Sequence, residues 1–268
     1  MRKKLFDNLN FDDFVVRFLS AIVLSSIAIF CLYAGSIFFH LLILFLSIFL
    51  FYEICKLLQP NIKNGMLVLQ LIIVVGTLIF FLRNGMFNHY FLSLIPALIL
   101  GIICYSNRLL SFCIGFLLTI ALMTFFEIKF YFGTITLLWV ISCVIVTDLA
   151  GYFIGRVVGG PKIWPVVSPK KTWSGLIGGW VLTILLGSML VIIFDLNYLI
   201  IFLSLVISLS SQIGDFCESW LKRRVNKKDS SHLIPGHGGF LDRFDGFIGG
   251  AIGLKICLLF VNPALVAS

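Results

Sequence analysis

The chain has 268 residues, of which 60% are hydrophobic and 12% charged, including 28 phenylalanines, and its mean hydropathy is +1.10. That apolar content is more than a water-soluble domain of this length uses, so an ordinary soluble fold is excluded. The net charge of +8 then reads as a topology signal in a polytopic membrane protein, and nucleic-acid binding explains it poorly.

Met1-Arg2-Lys3-Lys4 ahead of an apolar run has the outline of a signal peptide, but Asp7, Asp12 and Asp13 intervene and no Ala-x-Ala-like site follows. A retained first helix is expected, with Leu5 to Phe14 along the interface. A spanning helix needs about 20 mostly apolar residues. Nine stretches are expected to cross: Phe18–Tyr33, Ile37–Leu57, Met66–Leu82, Tyr90–Tyr105, Leu109–Phe126, Tyr131–Val146, Leu176–Phe194, Tyr198–Ile213 and Phe247–Val261. Between the first two, only Gly35 and Ser36 mark a turn. With a cytoplasmic N-terminus, 17 of the 20 basic residues fall on the inner side; Arg83 and Lys129 fall outside, and Lys255 lies within the last span. The expected fold is an all-α polytopic membrane protein of about nine transmembrane helices. Residues 1–146 form a scaffold and lipid-contact surface, and 147–268 a catalytic region. The seven cysteines include no C-x-x-C pair and read as packed or lipid-facing thiols.

The polar residues gather in two cytoplasmic segments, 148–175 and 214–246. The first holds Asp148, Gly151, Gly155, Arg156, Gly159, then Ser168-Pro169-Lys170-Lys171-Thr172. The three glycines, four apart, predict a smooth helix stripe for close packing. A carboxylate at the end of an apolar span, as at Asp148, usually has a functional partner. Ser168-Pro169 signals a turn or helix start, and Thr172 suits a cap or a phosphate contact. Lys170 and Lys171 fit the positive-inside pattern and phosphate binding equally well.

In the second segment Asp215, Glu218, Ser219 and Lys222 fall at helical spacings, with Glu218 and Lys222 placed for an i,i+4 ion pair. Pro235-Gly236-His237-Gly238-Gly239-Phe240-Leu241-Asp242-Arg243-Phe244-Asp245 follows. Asp242 and Asp245 are three apart, so on a helix they face one way. Mg²⁺ is commonly held by one or two carboxylates plus substrate phosphates. His237 alone is weak evidence because a single His is usually structural, His232 reads as a surface or interfacial residue, and no H-E-x-x-H or Walker sequence is present.

Over Thr147 to Gly246 the chain resembles the phosphatidate cytidylyltransferase family, also called CDP-diacylglycerol synthase. The signature S-x-apolar-K-R, four residues, K-D, a spacer, then H-G-G-apolar-x-D-R-apolar-D is met by Ser219, Leu221, Lys222, Arg223, Lys228, Asp229, His237, Gly238, Gly239, Phe240, Asp242, Arg243, Phe244 and Asp245. Asp148, Gly155-Arg156, Ser168 to Thr172, Gly175 and Gly214-Asp215 resemble it too. Ser174 stands where that family commonly has Glu.

The resemblance implies transfer of CMP from CTP to phosphatidic acid at the cytoplasmic face of a bacterial inner membrane. It implies Mg²⁺ on Asp215, Asp242 and Asp245, with room for a second metal ion. Lys222, Arg223, Lys228 and Arg243 would hold phosphates, with Ser168, Lys171, His237, Gly238, Gly239 and Asp148 completing the site. The expected partners are CTP, phosphatidic acid and the bilayer, without nucleic acid and with a homodimer left open. A cytidylyltransferase for another lipid phosphate is the nearest alternative. A transporter, which would show midplane polar groups in repeated halves, is the alternative from another class.

Overall fold

The computed structural model describes residues 11–84, 89–104, 107–236 and 238–260. His237, Arg2, Lys3, Lys4 and part of the expected interfacial stretch lie outside them. The described residues hold nine α-helices: α1 (Phe11–Tyr33), α2 (Ser36–Leu58), α3 (Asn64–Asn84), α4 (Leu94–Ile103), α5 (Arg108–Glu127), α6 (Gly133–Val157), α7 (Trp173–Phe194), α8 (Leu199–Arg224) and α9 (Leu241–Leu258). A two-stranded antiparallel hairpin, β1 (Lys162–Trp164) and β2 (Ser168–Thr172), separates α6 from α7. The protein is therefore a mostly helical membrane protein with one small hairpin, which periodicity did not suggest.

Among the described residues, five stretches are long and apolar enough to cross a membrane: Ser36–Leu58, Asn64–Arg83, Arg108–Val157, Trp173–Phe194 and Leu199–Arg224. The third spans 50 residues and contains both α5 and α6. Leu19–Tyr33 and Tyr90–Ile103 are shorter.

Several local signals act as the sequence suggests. Gly35 takes φ 123° and separates α1 from α2. Thr172 caps α7, its hydroxyl accepting the Gly175 N–H at 3.2 Å. Other boundaries move. α6 runs on past Val146 to Val157, so Asp148, Gly151 and Gly155 are helical. Gly159 is not on their stripe: with φ 67°, beside Gly160 at 104°, it turns the chain into the hairpin. Ser168-Pro169 starts no helix but opens β2, where a two-stranded edge tolerates proline. The outer loop expected near Lys129 is a π-helical turn, Ile128–Phe132, and Lys129 donates to the Leu32 carbonyl at 2.8 Å.

Helices α6 to α9 pack on one another, α8 most extensively on α9 and α6 on α7. Small residues permit this. A Cβ on Gly214 would lie 2.9 Å from the Gly249 Cα, so α8 and α9 approach backbone to backbone there. The N-terminal helices join this group where α5 and α2 meet α9.

One of those joints is ionic. Lys255 of α9 donates to both oxygens of Glu127 on α5, at 2.8 and 2.9 Å, and its ammonium lies 3.9 Å over the Tyr90 ring. Glu127 is 1% exposed. Replacing Lys255 with Met is expected to leave that carboxylate uncompensated and to cost about 3–5 kcal/mol. The double variant Glu127→Gln/Lys255→Met should recover most of the loss. Thermal unfolding in detergent reads both.

Candidate active site

The residues singled out by sequence divide into three neighbouring groups. The first surrounds a cavity of about 640 Å³ between α6, the hairpin, α7 and α8, lined by Asp148, Arg156, Lys162, Lys171 and Asp215 among others. Lys171 comes from β2 and forms an ion pair with Asp215, while its ammonium lies 4.3 Å from the centre of the Phe216 ring. Asp215 also accepts from the Ser219 hydroxyl one turn along α8, at 3.3 Å. Asp245 of α9 adds its charge: it feels the carboxylates of Asp215 and Asp148 and the ammonium of Lys171. Gly246 next to it packs on Ser211, and a Cβ there would stand 3.7 Å from Asp148 Oδ2. Three acids thus share one region with one close ammonium.

The second group is built on Lys222, which is one-tenth exposed. Its Nζ lies 2.6 Å from Glu218 Oε2 and 2.6 Å from Asp242 Oδ1. Asp242 is saturated. Besides Lys222 it accepts from Ser230 N at 2.9 Å and Gly239 N at 2.8 Å, and the Ser230 hydroxyl, whose one proton it shares with Glu53, stands 2.9 Å away. Asp242 sits in the first turn of α9, ahead of the apolar run that starts at Phe247. Burial pushes its carboxyl up, but the Lys222 ammonium and the Gly239 and Ser230 N–H groups outweigh that and hold it below the ordinary carboxylate range. Neither Glu218 oxygen has a well-directed hydrogen bond, and Glu218 feels the charges of both Asp245 and Asp242. It therefore lies between the first two groups.

The third group, Lys228, Asp229, Gly238 and Arg243, lines a cavity of about 540 Å³ together with His232. Arg223 is placed elsewhere. It donates to the carbonyls of Val167 at 3.4 Å and Lys227 at 3.0 Å, tying the hairpin turn to the end of α8. Ser168 begins β2 opposite Trp164. Ser174, at the position where the resemblance leads one to expect an acid, donates to the Gly159 carbonyl and closes the turn after α6.

Asp242 and Asp245 are helical and three apart, as their spacing suggests, yet they serve different groups. No three His, Cys, Asp or Glu side chains among the described residues stand close enough to hold a metal ion by themselves. A hard cation that keeps some ligands for substrate phosphates still suits Asp215 and Asp245, with Asp148 adjacent. The crowding of acids there is what such a cation would neutralise. Asp242 does not suit it, because its acceptor positions are taken by protein donors.

Reading the sequence missed Glu53. It lies on α2, in the half without motifs, and is 0% exposed. Its carboxylate accepts from Ser230 Oγ at 2.9 Å, Ser231 Oγ at 2.5 Å, Phe240 N at 2.9 Å and Leu241 N at 2.7 Å. The available signal was a lone acid inside an apolar span. Gly239 takes its meaning from the same contact. A Cβ there would overlap Ser230 Oγ and the Glu53 carboxylate, so this glycine admits a protein group. Gly238, at φ 83°, needs the left-handed conformation.

The cytidylyltransferase family model matches residues 15–261. This chain belongs to the cytidylyltransferase family. A phosphatidate cytidylyltransferase of Brucella suis is 35% identical over 260 residues, covering 94% of this chain and 93% of its own. One from Brucella abortus is 33% identical over 262 residues, covering 94% and 96%. One from Staphylococcus saprophyticus is 41% identical over 105 residues, 38% of this chain and 40% of its own. The match of this cytidylyltransferase extends through the N-terminal half, so its range includes α2 as well as the signature segment.

Proposed function

We propose that this cytidylyltransferase acts on phosphatidic acid, transferring CMP from CTP to give CDP-diacylglycerol and pyrophosphate. The observation that carries this reading is the cavity where Lys171, Asp148 and Asp215 converge, with Asp245 behind them and Lys222 and Asp242 next along the same helices. Such a site suits two phosphate-bearing substrates that repel each other.

The nucleophile is the lipid's own phosphate oxygen, which carries most of its second negative charge near neutral pH because that pKa is about 6. It attacks the α-phosphorus of CTP. The bond from that phosphorus to the α,β-bridging oxygen breaks, and pyrophosphate leaves with the electron pair. No side chain need take a proton. The protein's work is alignment and charge compensation. Lys171 and Lys222 bring ammonium groups to the phosphates, and Lys228 and Arg243 offer a second cationic cavity. Asp215 and Asp245 would hold Mg²⁺, with Asp148 available to a second ion. Bound there, the metal would supply positive charge to the reacting phosphates.

Each of the nine helices among the described residues overlaps one of the nine apolar stretches of the sequence, which supports about nine crossings. The distribution of Lys and Arg supports a cytoplasmic N-terminus and a site facing the cytoplasm at the inner membrane, where CTP is available. Purified protein with nucleobase-labelled CTP, phosphatidate and Mg²⁺ should yield a labelled lipid and an equal amount of pyrophosphate. A polyprenyl phosphate run in parallel tests the nearest alternative. Labelled product from it and none from phosphatidate would overturn the choice of lipid.

A further inference from the structure

We propose that Glu53 is a positioning residue for this reaction: from α2 it caps α9 and sets where the signature segment holds Asp242 and Lys222. The proposal rests on the reading that the chain transfers CMP to a lipid phosphate.

The start of α9 lacks a cap of its own. Phe240 occupies the cap position and supplies no side-chain hydrogen bond. The first N–H groups of a helix need acceptors, and a carboxylate there also meets the positive end of the helix dipole. Glu53 provides both from another helix, accepting from the Phe240 and Leu241 N–H groups at 2.9 and 2.7 Å. The same carboxylate takes the hydroxyls of Ser230 and Ser231, so the middle of the loop from α8 to α9 and its α9 end converge on it. Its four donors are hydroxyls and backbone N–H groups. None among the described residues is a cation, which separates this carboxylate from the ion-paired acids of the site.

The link to chemistry is short. Ser230 Oγ stands 2.9 Å from Glu53 Oε2 and 2.9 Å from Asp242 Oδ2, and Asp242 Oδ1 receives Lys222 Nζ at 2.6 Å. The chain Glu53–Ser230–Asp242–Lys222 therefore runs from a buried acid of the N-terminal half to the ammonium that the proposed reaction assigns to the phosphates. Packing reinforces it. The Phe240 ring lies 4.8 Å from Phe49 and 6.2 Å from Phe45, both on α2. Displacing catalytic groups by about 1 Å costs about 100-fold in rate, so a loosened anchor should appear in turnover more than in substrate affinity.

Glutamine is the informative replacement. It keeps the size of the side chain but turns one oxygen into an NH₂, which would face donors. In Glu53→Gln, kcat is expected to fall at least about tenfold, with KM for CTP and for phosphatidate within about twofold of wild type. Hydrogen–deuterium exchange in detergent should quicken across residues 230–244 and stay unchanged in α3, α5 and α6. Unchanged kcat would overturn the proposal, and so would faster exchange spread through those helices. Should Glu53→Gln fail to accumulate, Ser231→Ala removes one donor to the same carboxylate. It should lower kcat about two- to fivefold with the same local exchange signature, and wild-type kcat and exchange would overturn the proposal. The exchange arm needs no substrate. A wild-type protein that forms no labelled lipid therefore counts against the assigned reaction, while the exchange result still decides the anchoring.

Discussion

Asp215→Asn and Asp245→Asn are each expected to lower CDP-diacylglycerol formation by about 10²–10³-fold, the scale of losing one group that stabilises transition-state charge. Asn keeps the shape and removes the charge. Around Asp215, Asp148 and Asp245 negative charge is in excess, with Lys171 as the close ammonium. Removing one carboxylate should relieve repulsion, so both variants are expected to remain at least as stable as wild type while binding Mg²⁺ more weakly. Turnover measured across a Mg²⁺ titration checks this: the activating concentration should rise, and thermal unfolding should show no loss. Wild-type turnover with an unshifted Mg²⁺ requirement would remove Asp215 and Asp245 from the metal role.

Asp242→Asn is expected to fail differently. Asp242 is the counter-ion of Lys222 and the acceptor for Ser230 and Gly239. Its amide replacement leaves a buried ammonium with only Glu218 beside it and presents an NH₂ to a ring of donors. Breaking a buried pair in this way costs about 3–5 kcal/mol. Turnover should fall about 100-fold through misplacement of Lys222. The Mg²⁺ concentration for half-maximal residual activity should stay at the wild-type value. Thermal unfolding and a Mg²⁺ titration of the same preparation separate the two outcomes. A large shift in Mg²⁺ requirement with full stability would return Asp242 to the metal.

The two outcomes differ because of packing that no spacing rule contains. Asp242 and Asp245 are one helical turn apart and point to a common side, which is local geometry and was legible. Which partner each meets depends on α8 lying against α9. Lys222 stands opposite Asp242, and Asp215, two turns earlier on α8, acts on Asp245. The hairpin was illegible for a similar reason. Gly159 and Gly160 look like the tail of a glycine stripe until their positive φ values turn the chain. β1 and β2 are too short to show an alternating pattern. Without that turn Lys171 would not reach Asp215.

By itself the sequence determined the class of protein, the rough places of the helices among the described residues and the segments that carry charge. Those follow from apolar length, from the cost of burying charge in lipid, and from turn chemistry, all local properties. The signature spacing also pointed to the family that the comparison confirms. Only the tertiary structure decided which acids act together, that Arg223 ties the hairpin turn to α8, and that Gly239 makes room for Glu53. Glu53 joins residues up to 188 apart, at Leu241. Such contacts arise from helices meeting, where one buried carboxylate satisfies donors that their own segment leaves open.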